Sequence, residues 1–390
     1  MKYDRAFFDA GIDRRNTLCE KWDDREVLTE GAIPLWVADM DFPCAQPIVD
    51  ALLERAKHAA YGYNMHDEES EKALCDYWQR RHGLTILPEQ TRMLPCVVTG
   101  LKTCIRAFTK EGDGVAIFTP VYGPFFFSIR DNNRKVMEVA MLRDEESGRY
   151  SLNLEGMEKA LQDGAKMIMF CNPHNPVSRN WSKEELAALC DLAGRYRVPL
   201  ICDEIHADFV YAPHRYTPIL SLPEAKDHCV MLCAASKTFN VAGLQQATAV
   251  SFNPDMLKEM EKKLAAAGVT SGNTFALCAT KAAYQDGDAW LDGLMIYLDE
   301  NRQALAEYVQ EFLPKAKLTP VEATYLAWLD LRAYGKTCDQ MAAAFRKHGV
   351  ALTGGTFFGN EGEGFMRVNF GCPREMLKDG IKRMKDALEE

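Results

Sequence analysis

Short apolar runs alternate with amphipathic stretches through the middle of the chain. The runs are VAIF (115–118), KMIMFC (166–171), VPLIC (198–202), HCVMLC (228–233) and ATAVSF (247–252). Between them lie helical patterns such as SKEELAALCDLAGRY (182–196). Strands apolar at nearly every position have no face left for water, so the pattern predicts an α/β fold with a largely parallel sheet covered on both sides. Ser182 followed by Glu185 forms a capping box and marks where one of these helices starts. From about residue 288 the pattern changes to a long charged amphipathic stretch reaching about Phe312. After it come a strand in TYLAWLDL (324–331), a helix near 337–348, a strand in FMRVNF (365–370) and a final helix from Pro373. The first 44 residues show no helix of their own and are expected to pack with this second region. The predicted organisation is a large domain over 45–287 and a discontinuous α+β small domain made of 1–44 and 288–390.

Length and composition agree with two domains. A chain of 390 residues exceeds one ordinary core, and 47% apolar with 26% charged residues is a globular balance rather than a disordered one. The net charge of −10 argues against a surface built for nucleic acid or an anionic membrane. No apolar stretch approaches the roughly 20 residues that span a bilayer, and MKYDRAFFDAGIDRR lacks the features of a secretory signal. The 13 cysteines form no CxxC pair, and several, such as Cys171 and Cys202, sit inside apolar runs. Reduced structural thiols in a cytoplasm are expected, not disulfides or a zinc site.

The candidate chemistry sits at strand ends. In VPLICDEIH (198–206) the apolar run closes at Cys202 and Asp203 follows, where open α/β sheets bind ligands. Taken alone, Asp203 could equally cap the next turn. In AASKTFNVAGLQ (234–245), Lys237 follows the run HCVMLC, and a lysine among apolar residues loses its charge readily and becomes a nucleophile toward an aldehyde. A solvated lysine at a strand end is the bland alternative. Together the two residues match pyridoxal phosphate, which needs a lysine for its Schiff base and an acid for its pyridine nitrogen. FCNPHNPVS (170–178) offers Asn175 to the ring hydroxyl. Arg367, in the apolar strand FMRVNF, can clamp an α-carboxylate with two parallel hydrogen bonds or serve a structural ion pair. His206 and Asp208 lack a third partner at metal spacing, so no metal is expected.

These segments resemble the fold-type I pyridoxal-phosphate enzymes of the aminotransferase class I/II superfamily, and within it the MalY/PatB group of cystathionine β-lyases. The likeness runs nearly end to end, through IDRRNTLCEKWD (12–23), PLWVADMDF (34–42), YGYN (61–64), TPVYGPFF (119–126), NPHNPVSR (172–179), DEIHADFVY (203–211), SKTFNVAGLQ (236–245), TYLAWLDL (324–331) and GFMRVNFGCPR (364–374). The resemblance implies a seven-stranded, mostly parallel sheet in the large domain. It makes Lys237, beside Ser236, the imine lysine and the base at the substrate α-carbon, and pairs Asp203 with the pyridinium nitrogen. It puts Asn175 and His206 near the ring hydroxyl and Tyr122 on the ring face. Arg367 then holds the substrate carboxylate, with Asn175 and Asp39 also at the substrate. The phosphate is expected on backbone amides at Cys96–Val98, including Val97, where a helix begins. Tyr63 is expected to reach the neighbouring subunit's phosphate, which implies a homodimer with its site at the subunit interface.

Departures from the group are Cys96, Ser178 and Ala323 at positions usually held by glycine. Gln245, eight residues after Lys237, stands where many aminotransferases carry an arginine. It matches the lyase group. The expected activity is β-elimination from L-cystathionine or a cysteine S-conjugate, giving a thiol, pyruvate and ammonia. An aminotransferase using the same residues, or a partner-binding protein on the same fold, are the alternatives.

Overall fold

The computed structural model describes residues 3–25, 27–65, 67–269 and 272–390. Seven strands form the central sheet: β1 (Thr91–Leu94), β2 (Gly114–Thr119), β3 (Lys135–Ala140), β4 (Ala165–Cys171), β5 (Leu200–Asp203), β6 (Cys229–Cys233) and β7 (Ala247–Val250). Their spatial order is β1-β7-β6-β5-β4-β2-β3. Only β7 runs antiparallel to its neighbours. The expected apolar runs are all strands. Two edge strands, β1 and β3, had no such run to announce them.

The apolar runs separate by parity into two cores. Val115, Ile117, Met167, Met169, Ile201, Val230 and Leu232 pack in one, while Ala116, Phe118, Ile168, Phe170, Leu200, Cys202 and Met231 pack in the other. Successive side chains of a strand point to opposite faces, so each run supplies both cores at once. Helix α1 (Val97–Phe108) covers the first face with Leu101, Cys104 and Ile105. Helix α2 (Lys183–Tyr196) covers the second with Leu186, Leu189 and Ala193, and starts at the Ser182–Glu185 capping box.

Beyond Asp286 the chain builds a second sheet. Helix α3 (Asp288–Phe312) leads to the antiparallel strands β8 (Lys317–Leu318), β9 (Leu326–Asp330), β10 (Thr353–Gly354) and β11 (Phe365–Asn369), in the order β8-β9-β11-β10. Helices α4 (Cys338–Lys347) and α5 (Arg374–Glu389) belong to this region. The expected domain boundaries at 45 and 287 fall at two helix N-caps, Ala45 and Gly287.

The N-terminal 44 residues contain two short helices, Arg5–Ala10 and Glu20–Asp23, contrary to the expectation of none. Six and four residues are too few for an amphipathic period to register. Asp4 caps the first by accepting from the Phe7 amide. Ile33–Pro34 pairs in parallel with Val350–Ala351, fastening this arm to the second region. The next residues, 36–42, form a strap tied to the chain after β6 by Lys237, which bonds Ala38, and by Asn240, which bonds Met40 and Phe42.

Candidate active site

The carboxyl ends of β4, β5 and β6 are level: Cys171 pairs with Asp203, and Asp203 with Leu232. Parallel sheets expose their ligand-binding crevice at this end. A cavity of about 150 Å³ opens there, lined among others by Cys96, Val97, Val98, Tyr122, Asn175, Asp203, His206, Ser236 and Lys237. Residues far apart in the sequence thus meet in one place.

Helix α1 points its N-terminus into this cavity. Cys96 is its N-cap, and the Cys96 Sγ accepts from the Thr99 amide at 3.4 Å. The thiol therefore does the capping work of a serine and leaves the Val97 and Val98 amides for an anion. Gly100 lets the helix lie close on the sheet, since a Cβ there would meet Leu94 at 2.8 Å and Leu232 at 3.0 Å.

Lys237 lies in the single helical turn Ala235–Thr238, directly after β6. Thr238 Oγ1 donates to Asp208 Oδ2 at 2.6 Å, and Asp208 also takes Tyr77 Oη at 2.7 Å and faces His82 Nε2 at 3.0 Å. Burial opposes it, yet His82, Thr238 and Tyr77 hold the Asp208 carboxyl below its usual range. Asp208 thus anchors the lysine turn. The Lys237 Nζ donates to the Ala38 carbonyl of the strap at 2.6 Å. Burial lowers the amine's pKa to about 8, against the pull of Asp39 and Asp203.

Asp203 is buried, and the one described hydrogen bond to its carboxylate comes from the Ile205 amide at 3.1 Å. Burial raises its pKa to about 7. His206, also buried, is held neutral with a pKa of about 3 by burial and by the charges of Lys237 and Arg367. Its Nδ1 has no partner.

Arg367, on β11, lies opposite Trp328 and Thr353 in the sheet register. Its guanidinium is buried and sits 5.0 Å over the Phe358 ring. Its hydrogen bonds go to the Trp36 carbonyl at 2.5 Å, Thr353 Oγ1 at 3.3 Å and Asn175 Oδ1 at 3.3 Å, and its Nε has none. No described carboxylate pairs with it. Among the described residues the structural ion pair is therefore absent, and burial draws its pKa down to about 10.

Three expected residues are outside that lining: Asp39, Arg367 and Tyr63. Asp39 is not in the cavity lining, and Arg14 Nη2 donates to its Oδ2 at 2.6 Å. Tyr63 is fully exposed on a single chain. The sequence reading missed Ala38, Gln246 and Tyr325. Tyr325 Oη also donates to the Ala38 carbonyl, at 2.9 Å, and Gln246 lines the cavity with a buried, unpartnered Oε1. Among the described residues, no group of three or more His, Cys, Asp or Glu side chains is arranged for a metal ion. No described helix is long and apolar enough to cross a membrane.

The model of the family "aminotransferase class I and II" matches residues 31–384. The chain is 39% identical over 388 residues to cystathionine β-lyase PatB of Bacillus subtilis, covering 98% of this chain and 99% of that protein. It is 32% identical over 388 residues to the protein MalY of Escherichia coli, covering 98% of each. Its fold matches the pyridoxal-phosphate-bound C–S lyase of Staphylococcus hominis with a TM-score of 0.91, 32% identity and 98% of both chains covered.

Proposed function

Because the chain belongs to the aminotransferase class I and II family and is similar over its whole length to cystathionine β-lyases, we propose that it is a pyridoxal-phosphate-dependent C–S β-lyase. Its substrates are L-cystathionine or related cysteine S-conjugates together with water, and its products a thiol, pyruvate and ammonia. The observation that carries this is the meeting of Lys237 and Asp203 around one cavity, with a buried Arg367 that pairs with no described carboxylate bonded to Asn175 of the same lining.

The residues fit the cofactor. Asp203 is a buried acid lacking a cationic partner in contact, which a pyridinium nitrogen would provide, and the His206 Nδ1 and Arg367 Nε are buried without acceptors or donors. Phosphate oxygens suit the Val97 and Val98 amides beside Ser236. When bound, the cofactor supplies an electron sink for charge developing at the substrate α-carbon.

The chain's own groups do the rest. Arg367 takes the α-carboxylate, using the Nε and Nη donors that no protein carboxylate occupies. Tyr122 would lie against the ring face and Asn175 near the ring hydroxyl, and Tyr122 with Arg367 would orient the substrate bond to be broken. The Lys237 amine, whose pKa burial lowers to about 8, accepts the α-proton. The Cβ–S bond then breaks, and the electron pair leaves with sulfur. Asp203 would hold the ring nitrogen in its protonated form. We assign to the smaller domain, 1–44 with 288–390, the presentation of Arg367, and to the larger, 45–287, the remaining groups. Tyr63, exposed on one chain, is assigned to the partner's phosphate in a homodimer. Thirteen unpaired cysteines, most of them buried, suit a cytoplasmic protein.

The test is to incubate the cofactor-loaded protein with cystathionine and no 2-oxo acid, scoring pyruvate and free thiol. Release that Lys237→Ala abolishes is expected. Dependence on an added 2-oxo acid would replace the lyase by an aminotransferase.

A further inference from the structure

The strap that holds the reactive amine is itself held by a cluster of charges. Arg14 Nη2 donates to Asp39 Oδ2 at 2.6 Å, and Arg14 Nη1 to Asp41 Oδ1 at 3.3 Å. Lys21, wholly buried, donates to Asp41 Oδ2 at 2.7 Å and to the Asp39 carbonyl at 3.0 Å. Trp22 Nε1 also reaches Asp41 Oδ1, at 2.7 Å. Both oxygens of Asp41 thus accept hydrogen bonds. Asp39 differs: its Oδ1 is buried, receives no hydrogen bond and lies 3.9 Å from Lys21 Nζ. The residue before it, Ala38, gives the carbonyl that accepts from Lys237 and Tyr325.

We infer that Asp39 is a positioning residue for Lys237, holding the amine's acceptor in place and favouring its protonated form, with Arg14 as the opposing control. This rests on the reading of Lys237 as the reactive amine. The argument is geometric first. One backbone step separates the ion-paired carboxylate from the carbonyl that grips the amine, so the strap cannot shift at Asp39 without moving Ala38. It is then electrostatic, since a carboxylate with an unshared oxygen in a dry region acts over a longer range than one fully paired.

Several charged groups face the amine. Asp203 from β5 and Glu20 from the N-terminal arm act with Asp39 to favour the charged form, while Arg367 from β11 opposes them. Of the three acids, Asp39 alone has a described ion pair, with Arg14, a partner that can be removed separately. Tyr325 feels both members of that pair, Asp39 in one sense and Arg14 in the other. This places both charges within range of the Ala38 carbonyl. The IDRR, KWD and WVADMDF segments, which the catalytic roles leave unexplained, thereby gain a purpose. They hold and tune the amine from outside the cavity.

The test uses the full-length chain freed of cofactor, with the Lys237 acylation rate followed by mass spectrometry across pH. Asp39→Asn should lower the pH of half-protonation by about one pH unit and Arg14→Gln should raise it by a similar amount, as removal of one nearby charge at intermediate dielectric implies. Asp39→Glu should restore it. Shifts in the same direction, or none, would overturn the inference, because a merely loosened strap moves both variants alike. Should Asp39→Asn fail to fold, Arg14→Gln decides: a rise supports the inference and an unchanged midpoint ends it. Labelling does not depend on lyase chemistry. Opposite shifts in a protein that releases no pyruvate would leave this inference standing and remove the proposed activity.

Discussion

Arg367 Nη1 donates to Asn175 Oδ1 at 3.3 Å, joining a strand of the second sheet to the loop after β4. The contact brings the assigned carboxylate clamp against a residue assigned to the cofactor ring. Shifting either side chain therefore changes the angle between substrate and ring, and not affinity alone.

Arg367→Lys should lower kcat/KM by roughly 100-fold, with most of the loss in KM. Lysine keeps the charge but gives up the forked pair of donors, and weakening a buried charge pair costs about 3 kcal/mol. Steady-state kinetics on cystathionine check it. A change in kcat with KM untouched would remove the carboxylate role.

Asp203 makes the cofactor-free chain sensitive to pH. Burial raises its pKa from 3.8 to about 7, so the unfolded chain ionises first as pH rises. The unfolded state is favoured by this group progressively between about pH 4 and 7, and by a constant amount above. Asp203→Asn should therefore melt at a higher temperature than the parent at pH 8, and at about the same temperature at pH 4. Glu204, whose pKa is also raised by burial to about 7, remains in both proteins and cancels in the comparison. The same variant should bind pyridoxal phosphate more weakly, seen as loss of visible absorbance on dilution. A parent that melts higher than the variant at pH 8 would contradict the sign.

The sequence displayed much of this site because its chemistry uses side chains at strand ends. Lys237, Asp203 and Arg367 each break an apolar run, and a charged group in such a place has few structural uses. What stayed hidden works through backbone or through edges. Ala38 contributes a carbonyl, and no side-chain pattern marks a carbonyl acceptor. Strand β3 lies at the sheet edge with Lys135, Met137 and Glu138 partly or wholly exposed, so its apolar signal is diluted. Asp208, discounted as a metal ligand for want of a third partner, anchors the Lys237 turn through Thr238.

Ser178 stands in a left-handed conformation, φ 56°, that glycine adopts freely. Its hydroxyl donates to the Leu326 carbonyl, and its own carbonyl accepts from the Glu322 and Ala323 amides at 3.0 Å. The serine thus offsets the conformational cost with a bond to β9. Ser178→Ala should destabilise the protein by about 1–2 kcal/mol, losing that bond while keeping the strain. Ser178→Gly should cost less, because it relieves the strain that alanine retains. Urea unfolding of the three proteins orders them, and an alanine variant as stable as the glycine one would refute the account.

Lys21 supplies the last expectation. It is fully buried, and its partner Asp41 is nearly so, at 0% and 2% side-chain exposure. Replacing one member of such a pair leaves the other charged in a dry place, which costs about 3 kcal/mol or more. Arg14 and Trp22 still reach Asp41 in Lys21→Met, so the loss should fall at the lower end of that range. The double variant Lys21→Met, Asp41→Asn removes the stranded charge and should lose less than the two single variants summed, by about 1 kcal/mol or more. Strict additivity in chemical denaturation would mean that the pair contributes only its packing. In that case the ordering of the strap over Lys237 would have to come from Arg14, Asn240 and Asn369, whose side chains bond the same segment.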